Sequence, residues 1–449
     1  MRLDRKTLWS RAQVFGALAS GMVVLLVYAW PGYVTQDSLE QYDQARNHHY
    51  NNWHPPAMAA LWTVVDKVVT GTAGMLLLQC ACFVAGTFLI LRRMMSDRTA
   101  AIVTSLVLVF PPVLSTMACI WKDSQMAGFL LLGIGLLVGG KRWQLVLGAV
   151  ILLFASAMRF NAAAATLPVL VVLFHWKHGH VWWKRLGLAC VVWVFTVSSS
   201  FAINKLLTRE ERHAWHLSIA PGDIIGTLKY SRDYTDAELI ELFDQMPLSN
   251  YVDIQAHMRT YYNPYFWWFY EAPGPARVMY FPETDAHRAS LEHAWKQVVR
   301  DNPRAYLLHR LRVFRGLLGL THGLPLFGPV CATHADVETD HTLYPASGVQ
   351  GILADSFLWL ATNTPLFRPY PFFFLALLLL YFARRQPIAL ALLTSGILYE
   401  LPLFFISPSA DNRYSHWMVT TTVIAVAVLV ASRLRLRSTA RPAGLVASA

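Results

Sequence analysis

The residues best suited to chemistry begin in one polar stretch, Pro31 to Pro56 (PGYVTQDSLEQYDQARNHHYNNWHPP), directly after the first long apolar run. Asp37 stands near its start, where a carboxylate against apolar walls has a raised pKa and suits a general base. Its spacing also fits a helix N-cap, with Glu40 three residues on completing a capping box. Gln41 is a supporting polar group on the same stretch. His54, held between Trp53 and Pro55-Pro56, has a fixed backbone that aims its imidazole one way, towards a substrate or phosphate or towards a carbonyl at a helix entry. Lys122 and Asp123 follow Trp121 where an apolar run begins, a pattern shared by binding sites and by interfacial anchors. Arg159 and Asn161 interrupt the apolar ASAMRFNAAAATL, and a charge so near hydrocarbon has a partner or a function. Arg413 and Tyr414 occupy a similar tight turn, SPSADNRYSHW. Arginine offers a planar fork of donors matched to phosphate oxygens. Lys122, Arg159 and Arg413, with Arg310 and Arg312 of the Arg304 to Arg315 series, are therefore candidates to hold an anionic lipid head group. For that last series an ordinary headgroup-facing helix surface accounts equally well.

Those side chains need a scaffold, and composition identifies its medium. The 449 residues are 55% hydrophobic and 14% charged with 16 Trp, and the mean hydropathy is +0.37, the signature of an all-α polytopic membrane protein. The net charge of +11 is set by loops on one side of a bilayer, so no nucleic-acid partner follows from it. Cys80, Cys82, Cys119, Cys190 and Cys331 are scattered, and the pattern indicates no disulfide framework. Cys331, His334 and His341 have loosely metal-like spacing, but Asp336, Glu338 and Asp340 surround them in a loop, and no zinc site is expected. No phosphate-binding loop or nucleophile-elbow motif is present, which disfavours a nucleotide-driven pump.

The positive N-terminal head precedes an apolar run from about 14 to 30 with a poor small-x-small cleavage site, read as an uncleaved first span. Further spans are expected near 72–91, 99–118, 124–140, 143–158, 161–176 and 186–205, then 369–383, 387–406 and 415–432. With two ambiguous pieces, 291–320 and 351–366, the total is ten or twelve. Residues 57–69 read as an interfacial helix closing the first loop. The chain divides into a transmembrane module (1–205) whose first outer loop (31–71) is catalytic, an extracytoplasmic region (206–368) with an aromatic block at 261–270, and closing transmembrane helices with a basic tail (369–449). The basic loops around Arg92-Arg93, Lys141-Arg142, Lys184-Arg185 and Arg384-Arg385 fall on one side with both termini, which the positive-inside rule makes cytoplasmic. The opening loop, Trp121-Lys122-Asp123, Arg159-Phe160-Asn161 and Asp411 to Tyr414 then meet on the outer face.

The ordered set PGYVTQDS, WHPP, WKD, MRFN, NPRAYLLHR and DNRY resembles the GT-C superfamily of integral membrane glycosyltransferases, more narrowly a group of bacterial multi-spanning proteins of the same plan. The resemblance implies a GT-C-like helical bundle with Asp37 as catalytic base. It also implies a polyprenyl-phosphate sugar as donor, with Lys122, Arg159 and Arg413 on its phosphate, and a glycan, lipid or protein acceptor at the outer face of a bacterial inner membrane. Two departures matter. Asp37 is followed by Ser38 rather than a second acid, and Trp267 to Glu271 is not the WWDYG motif of oligosaccharyltransferases. No cofactor is firmly implied, and a divalent metal stays open. Two other classes fit a polytopic chain with outward arginines: an O-antigen ligase or polymerase, and a lipid or glycan transporter, although the inverted repeats of a transporter are not seen.

Overall fold

Apolar runs that cross a bilayer must satisfy every backbone amide within the segment, which makes them helices. In the computed structural model, which describes residues 5–173, 182–265, 270, 272–321, 328–337 and 340–439, helix dominates throughout. α1 (Arg5–Ala29) leads into α2 (Gln36–Asn47) and α3 (Ala57–Asp66), which fold the polar stretch. α4 (Ala73–Leu91), α5 (Asp97–Val109), α6 (Pro111–Met117), α7 (Lys122–Gly139), α8 (Arg142–Met158), α9 (Ala162–Leu173) and α10 (Trp182–Leu207) complete the first bundle. The polar middle region holds α11 (Ala220–Tyr230), α12 (Asp236–Phe243), α13 (Ile254–Tyr261), α14 (Asp285–Asp301) and α15 (Pro303–Leu317). An antiparallel ribbon, β1 (Thr333–Asp336) and β2 (Asp340–Pro345), follows it. The chain ends with α16 (Gly348–Asn363), α17 (Pro369–Ala383), α18 (Pro387–Glu400), α19 (Leu403–Ile406) and α20 (His416–Thr439).

Within the described residues, which leave out 174–176 of the run 161–176, the expected spans coincide with helices, but their lengths differ from the expectation. Among the described residues five segments are long and apolar enough to cross a membrane alone, or six if the bent pair α5 and α6 is one span. The other expected spans appear as shorter helices such as α8 and α17, of 17 and 15 residues. The run 99–118 is broken rather than straight: Pro111 and Pro112 start a new helix after Phe110, and the two halves meet at 73°. The interruption expected at Asn302-Pro303 is present as the boundary between α14 and α15.

One continuous apolar core joins the bundle, and a second, containing Ile224, Leu228, Phe243, Met258, Leu291 and Val298, belongs to the middle region. In the bundle α4 and α7 cross closely at Gly86, where a Cβ would collide with the backbone of Leu131 and Leu132. The two ends of the bundle have opposite chemistry. At one, Arg93 donates to the Gly139 carbonyl (2.8 Å) and Arg435 to the Arg93 carbonyl (3.0 Å), gathering the basic loops. At the other, the strand-like segment after α1 is clamped on both sides. Tyr33 pairs with the residues flanking Cys119, and Val34 exchanges hydrogen bonds with Thr333. Cys119 and Cys331, with Cα atoms 6.1 Å apart, are joined as a disulfide across this clamp, contrary to the expectation that the cysteines are unpaired. Sequence spacing carries no signal for a pair 212 residues apart.

Candidate functional site

Asp37 owes its position to the clamp. Trp121 Nε1 donates to Thr35 Oγ1 (2.8 Å) and Ser38 Oγ to the Ile120 carbonyl (2.8 Å), so the first turn of α2 is fastened to the start of α7. The N-cap of α2 is Thr35, reciprocated by Ser38, and Asp37 stands inside the first turn. The capping box weighed for Asp37 and Glu40 is therefore not formed. Glu40 instead accepts from Asn51 Nδ2 (3.0 Å), which ties α2 to the loop that carries His54. Gln41 is buried and donates to the Asp37 carbonyl (2.9 Å); it braces the helix and does not line the cavity described next.

A cavity of about 350 Å³ lies at this end, lined by residues from five separate parts of the chain. Its polar lining comprises Asp37, His54, Lys122, Arg159, Asn161, Arg413 and Tyr414, with Ser218. Its apolar lining includes Phe160, Ile219, Leu403, Ile406 and Pro408. Arg413 Nη2 is 2.7 Å from Asp37 Oδ2, and Arg413 Nε is 2.8 Å from Asp411 Oδ2. His54 bridges two charges: its Nε2 is 3.7 Å from Asp37 Oδ2 and its Nδ1 is 2.5 Å from Lys122 Nζ. When Lys122 donates to Nδ1, the imidazole proton sits on Nε2 and faces the carboxylate. Arg159 pairs with Asp123 and donates from Nε to Asn161 Oδ1 (3.0 Å). Tyr414 lies between the two guanidiniums, its ring centroid 4.7 Å from Arg159 Cζ and 5.4 Å from Arg413 Cζ, and Trp121 supports Arg413 from another side at 5.0 Å.

The electrostatics follow from burial opposed by these neighbours. Burial alone would raise the pKa of Asp37, but Arg413, then His54 and Lys122, outweigh it and hold the carboxyl well below its usual range. Burial and the ammonium of Lys122 push His54 down, against the pull of Asp37, so the ring is neutral near pH 7. For Asp411 burial wins and the pKa rises despite Arg413. Burial opposes the charge on Arg159, yet Asp123 beside it keeps the guanidinium ionised. Lys122, Arg159 and Arg413 are thus balanced by Asp37, Asp123 and Asp411.

Of the residues singled out from sequence, Asp37, His54, Lys122, Arg159, Asn161, Arg413 and Tyr414 meet in this cavity, while Asp123 stands behind it as the partner of Arg159. Arg310 and Arg312 are elsewhere. Arg310 is only 2% exposed and spans Asp223 (Nε 2.6 Å, Nη2 2.7 Å) and the Ser407 carbonyl (2.8 Å), so it has no edge left for a phosphate. Arg312 lies exposed on α15, away from the cavity lining. In the aromatic block, Tyr262, Tyr265 and Tyr270 spend their hydroxyls on His309, Thr321 and the His216 carbonyl; residues 266–269 lie outside the described residues. Sequence reasoning missed Glu400, fully buried on α18 and accepting from Ser415 Oγ (2.6 Å), which fastens the turn that presents Arg413 and Tyr414. A lone carboxylate in an apolar run was the available signal. Cys331, part of the weak metal-like spacing, is committed to the disulfide.

No known protein family matches this chain, and no curated protein matches it. Among solved structures, ArnT from Cupriavidus metallidurans bound to undecaprenyl phosphate is similar at 14% identity, over 95% of this chain and 78% of that one, with a TM-score of 0.36.

Proposed function

We propose that this protein is a membrane glycosyltransferase of the GT-C type, moving a sugar from a polyprenyl-phosphate donor to an acceptor hydroxyl. The observation that carries the reading is the composition of the cavity: a carboxylate and three cations line it together with apolar side chains. A lipid-linked phosphodiester presents these same two chemistries side by side. Arg413, Lys122 and Arg159 neutralise the phosphate, and the apolar lining containing Phe160, Leu403 and Ile406 accepts its isoprenoid chain.

In this reaction the acceptor oxygen attacks the anomeric carbon and the bond from that carbon to the phosphate oxygen breaks. The hydroxyl proton goes to Asp37, and the electron pair leaves with the polyprenyl phosphate. A single displacement with one base inverts the anomeric configuration. Because the leaving group is already a good one once neutralised, orientation and fixed charge supply most of the acceleration. His54 stands beside the carboxylate, and Asn161, which lines the cavity next to Arg159, is placed to bind a sugar hydroxyl.

The site end faces the periplasm in this reading. The disulfide beside it suits an oxidising compartment, and the basic loops gathered at the far end suit the cytoplasm. The test is sugar release by the purified protein from a panel of polyprenyl-phosphate monosaccharides, wild type beside Asp37→Asn. Turnover by wild type, with retained donor binding but a rate lower by about 10²–10⁴-fold in Asp37→Asn, is expected for a lost general base. Absence of binding and turnover with every donor overturns the reading.

A further inference from the structure

Asp37 must accept a proton, yet it rests in an ion pair that makes it a poor base. The groups facing it are His54 from the loop before α3, Lys122 from α7, and Arg413, with Asp411 behind, from the turn before α20. Glu40 is its acidic neighbour on α2, engaged with Asn51. Arg413 has more support than a single partner requires. Its Nε stands 2.8 Å from Asp411 Oδ2 in an ion pair, its backbone amide donates to Asp411 Oδ1 (3.1 Å), and its guanidinium lies against Trp121 and Tyr414. Only its Nη2 edge reaches Asp37, and both residues line the cavity. That edge can change partner while Asp411 and the two rings keep the rest of the guanidinium in place.

We infer that Arg413 is shared between two anions: in the resting site its Nη2 edge neutralises Asp37, and in the loaded site it turns to the donor phosphodiester and releases Asp37 to act as base. This rests on the sugar-transfer reading above. Released, Asp37 loses its strongest neutralising neighbour and gains an anion across the cavity, and both changes raise its proton affinity. The base is then competent only when a donor is present. An acceptor that enters first meets a carboxylate already engaged, so binding is ordered, donor before acceptor.

Protons reveal the exchange. A suitable probe is farnesyl methyl phosphate, an isoprenyl phosphodiester with one permanent charge, no transferable sugar and no titration near neutrality. Its binding to the full-length protein in detergent is measured by calorimetry at pH 6 in two buffers of different ionisation enthalpy. The sign follows from the shift: Asp37 has a depressed pKa in the free protein and a higher one in the complex, so binding takes up protons. Expected are net uptake by wild type, none by Asp37→Asn, and at least tenfold tighter binding by Asp37→Asn because Arg413 no longer has a competitor. That tightening should be absent in an Arg413→Gln background, which simple relief of repulsion between Asp37 and the phosphate would not predict. Binding by wild type without proton uptake overturns the shared arginine while leaving the sugar-transfer reading standing. No binding by wild type overturns both. Because wild-type uptake alone decides the first outcome, a variant that fails to fold does not remove the test.

Discussion

Arg310→Met separates a structural cation from a substrate-binding one. In wild type, Asp223 accepts from Arg310 Nη2 at 2.7 Å and from Trp295 Nε1 at 2.9 Å, with Arg310 Nε 2.6 Å away as an ion pair and His309 Nε2 at 3.4 Å. Both Asp223 and Arg310 are essentially excluded from water. Methionine keeps the apolar volume but leaves the carboxylate without its cation, a loss of about 3–5 kcal/mol. With an unfolding entropy of about 2.1 cal/mol/K per residue over a chain of this length, that is a fall of roughly 3–5 °C in the midpoint. The deficit should depend on pH. Burial pushes His309 down and Arg310 adds to the push, while Asp223 opposes both. Without Arg310 the folded-state pKa of His309 rises, so a protonated His309 pairs with Asp223 below its unfolded pKa of about 6.5, and that support is lost as pH rises. The deficit is therefore larger at pH 8 than at pH 5.5, and adding Asp223→Asn should restore most of it. Thermal unfolding in detergent, followed by a thiol-reactive dye on the buried free cysteines Cys80 and Cys82, reads wild type and both variants. An unchanged midpoint at pH 8 together with lost donor binding would refute this reasoning and return Arg310 to the phosphate.

Three further predictions concern the clamp, the site and the packing of the bundle. Replacing Cys119 and Cys331 together by Ser should cost about 2–4 kcal/mol, seen as a lower midpoint that reducing agent reproduces in wild type but does not lower further in the variant. Arg159→Lys removes the fork that meets Asp123 and Asn161 at once and the flat face against Tyr414, so KM for the donor should rise about tenfold with a smaller change in kcat; the opposite split would place Arg159 in the chemical step. Gly86→Val should prevent α4 and α7 from packing and abolish a cooperative thermal transition, whereas Gly140→Asn, at an exposed helix end with φ of 76°, should leave the midpoint within about 1 °C.

The polar lining was legible in the sequence because the medium made it so. An arginine in ASAMRFNAAAATL or a lysine at the head of an apolar run is conspicuous where charge is costly, and parity of the spans brought Asp37, Lys122, Arg159 and Arg413 to one side. The same rule gave no help in the polar middle region. There Arg310 and Arg312 sit two residues apart on one helix, and nothing local distinguishes the one sealed against Asp223 from the one in solvent. Asp223 lies 87 residues away in an unremarkable helix. Pairings of that kind, like Cys119 with Cys331, are set by tertiary contact and leave no periodic trace. Glu400 was missed for another reason: it accepts from Ser415 and is not among the residues lining the cavity, so it shapes the site without entering it. The Pro111-Pro112 pair was visible, but a run apolar on both sides of it reads as one span until its angle is seen.

The short helices have a consequence for the lipid itself. At 1.5 Å per residue α8 spans about 25 Å and α17 about 22 Å, against a hydrocarbon thickness of about 30 Å. Helices too short for their bilayer draw its surfaces together, at a modest cost for each ångström of mismatch. Since α8 ends at Met158, next to Arg159, such thinning would fall beside the cavity. On the sugar-transfer reading, a lipid donor would then descend into a dimple as it nears the protein, and its phosphate would arrive level with the guanidiniums instead of having to be pulled down to them.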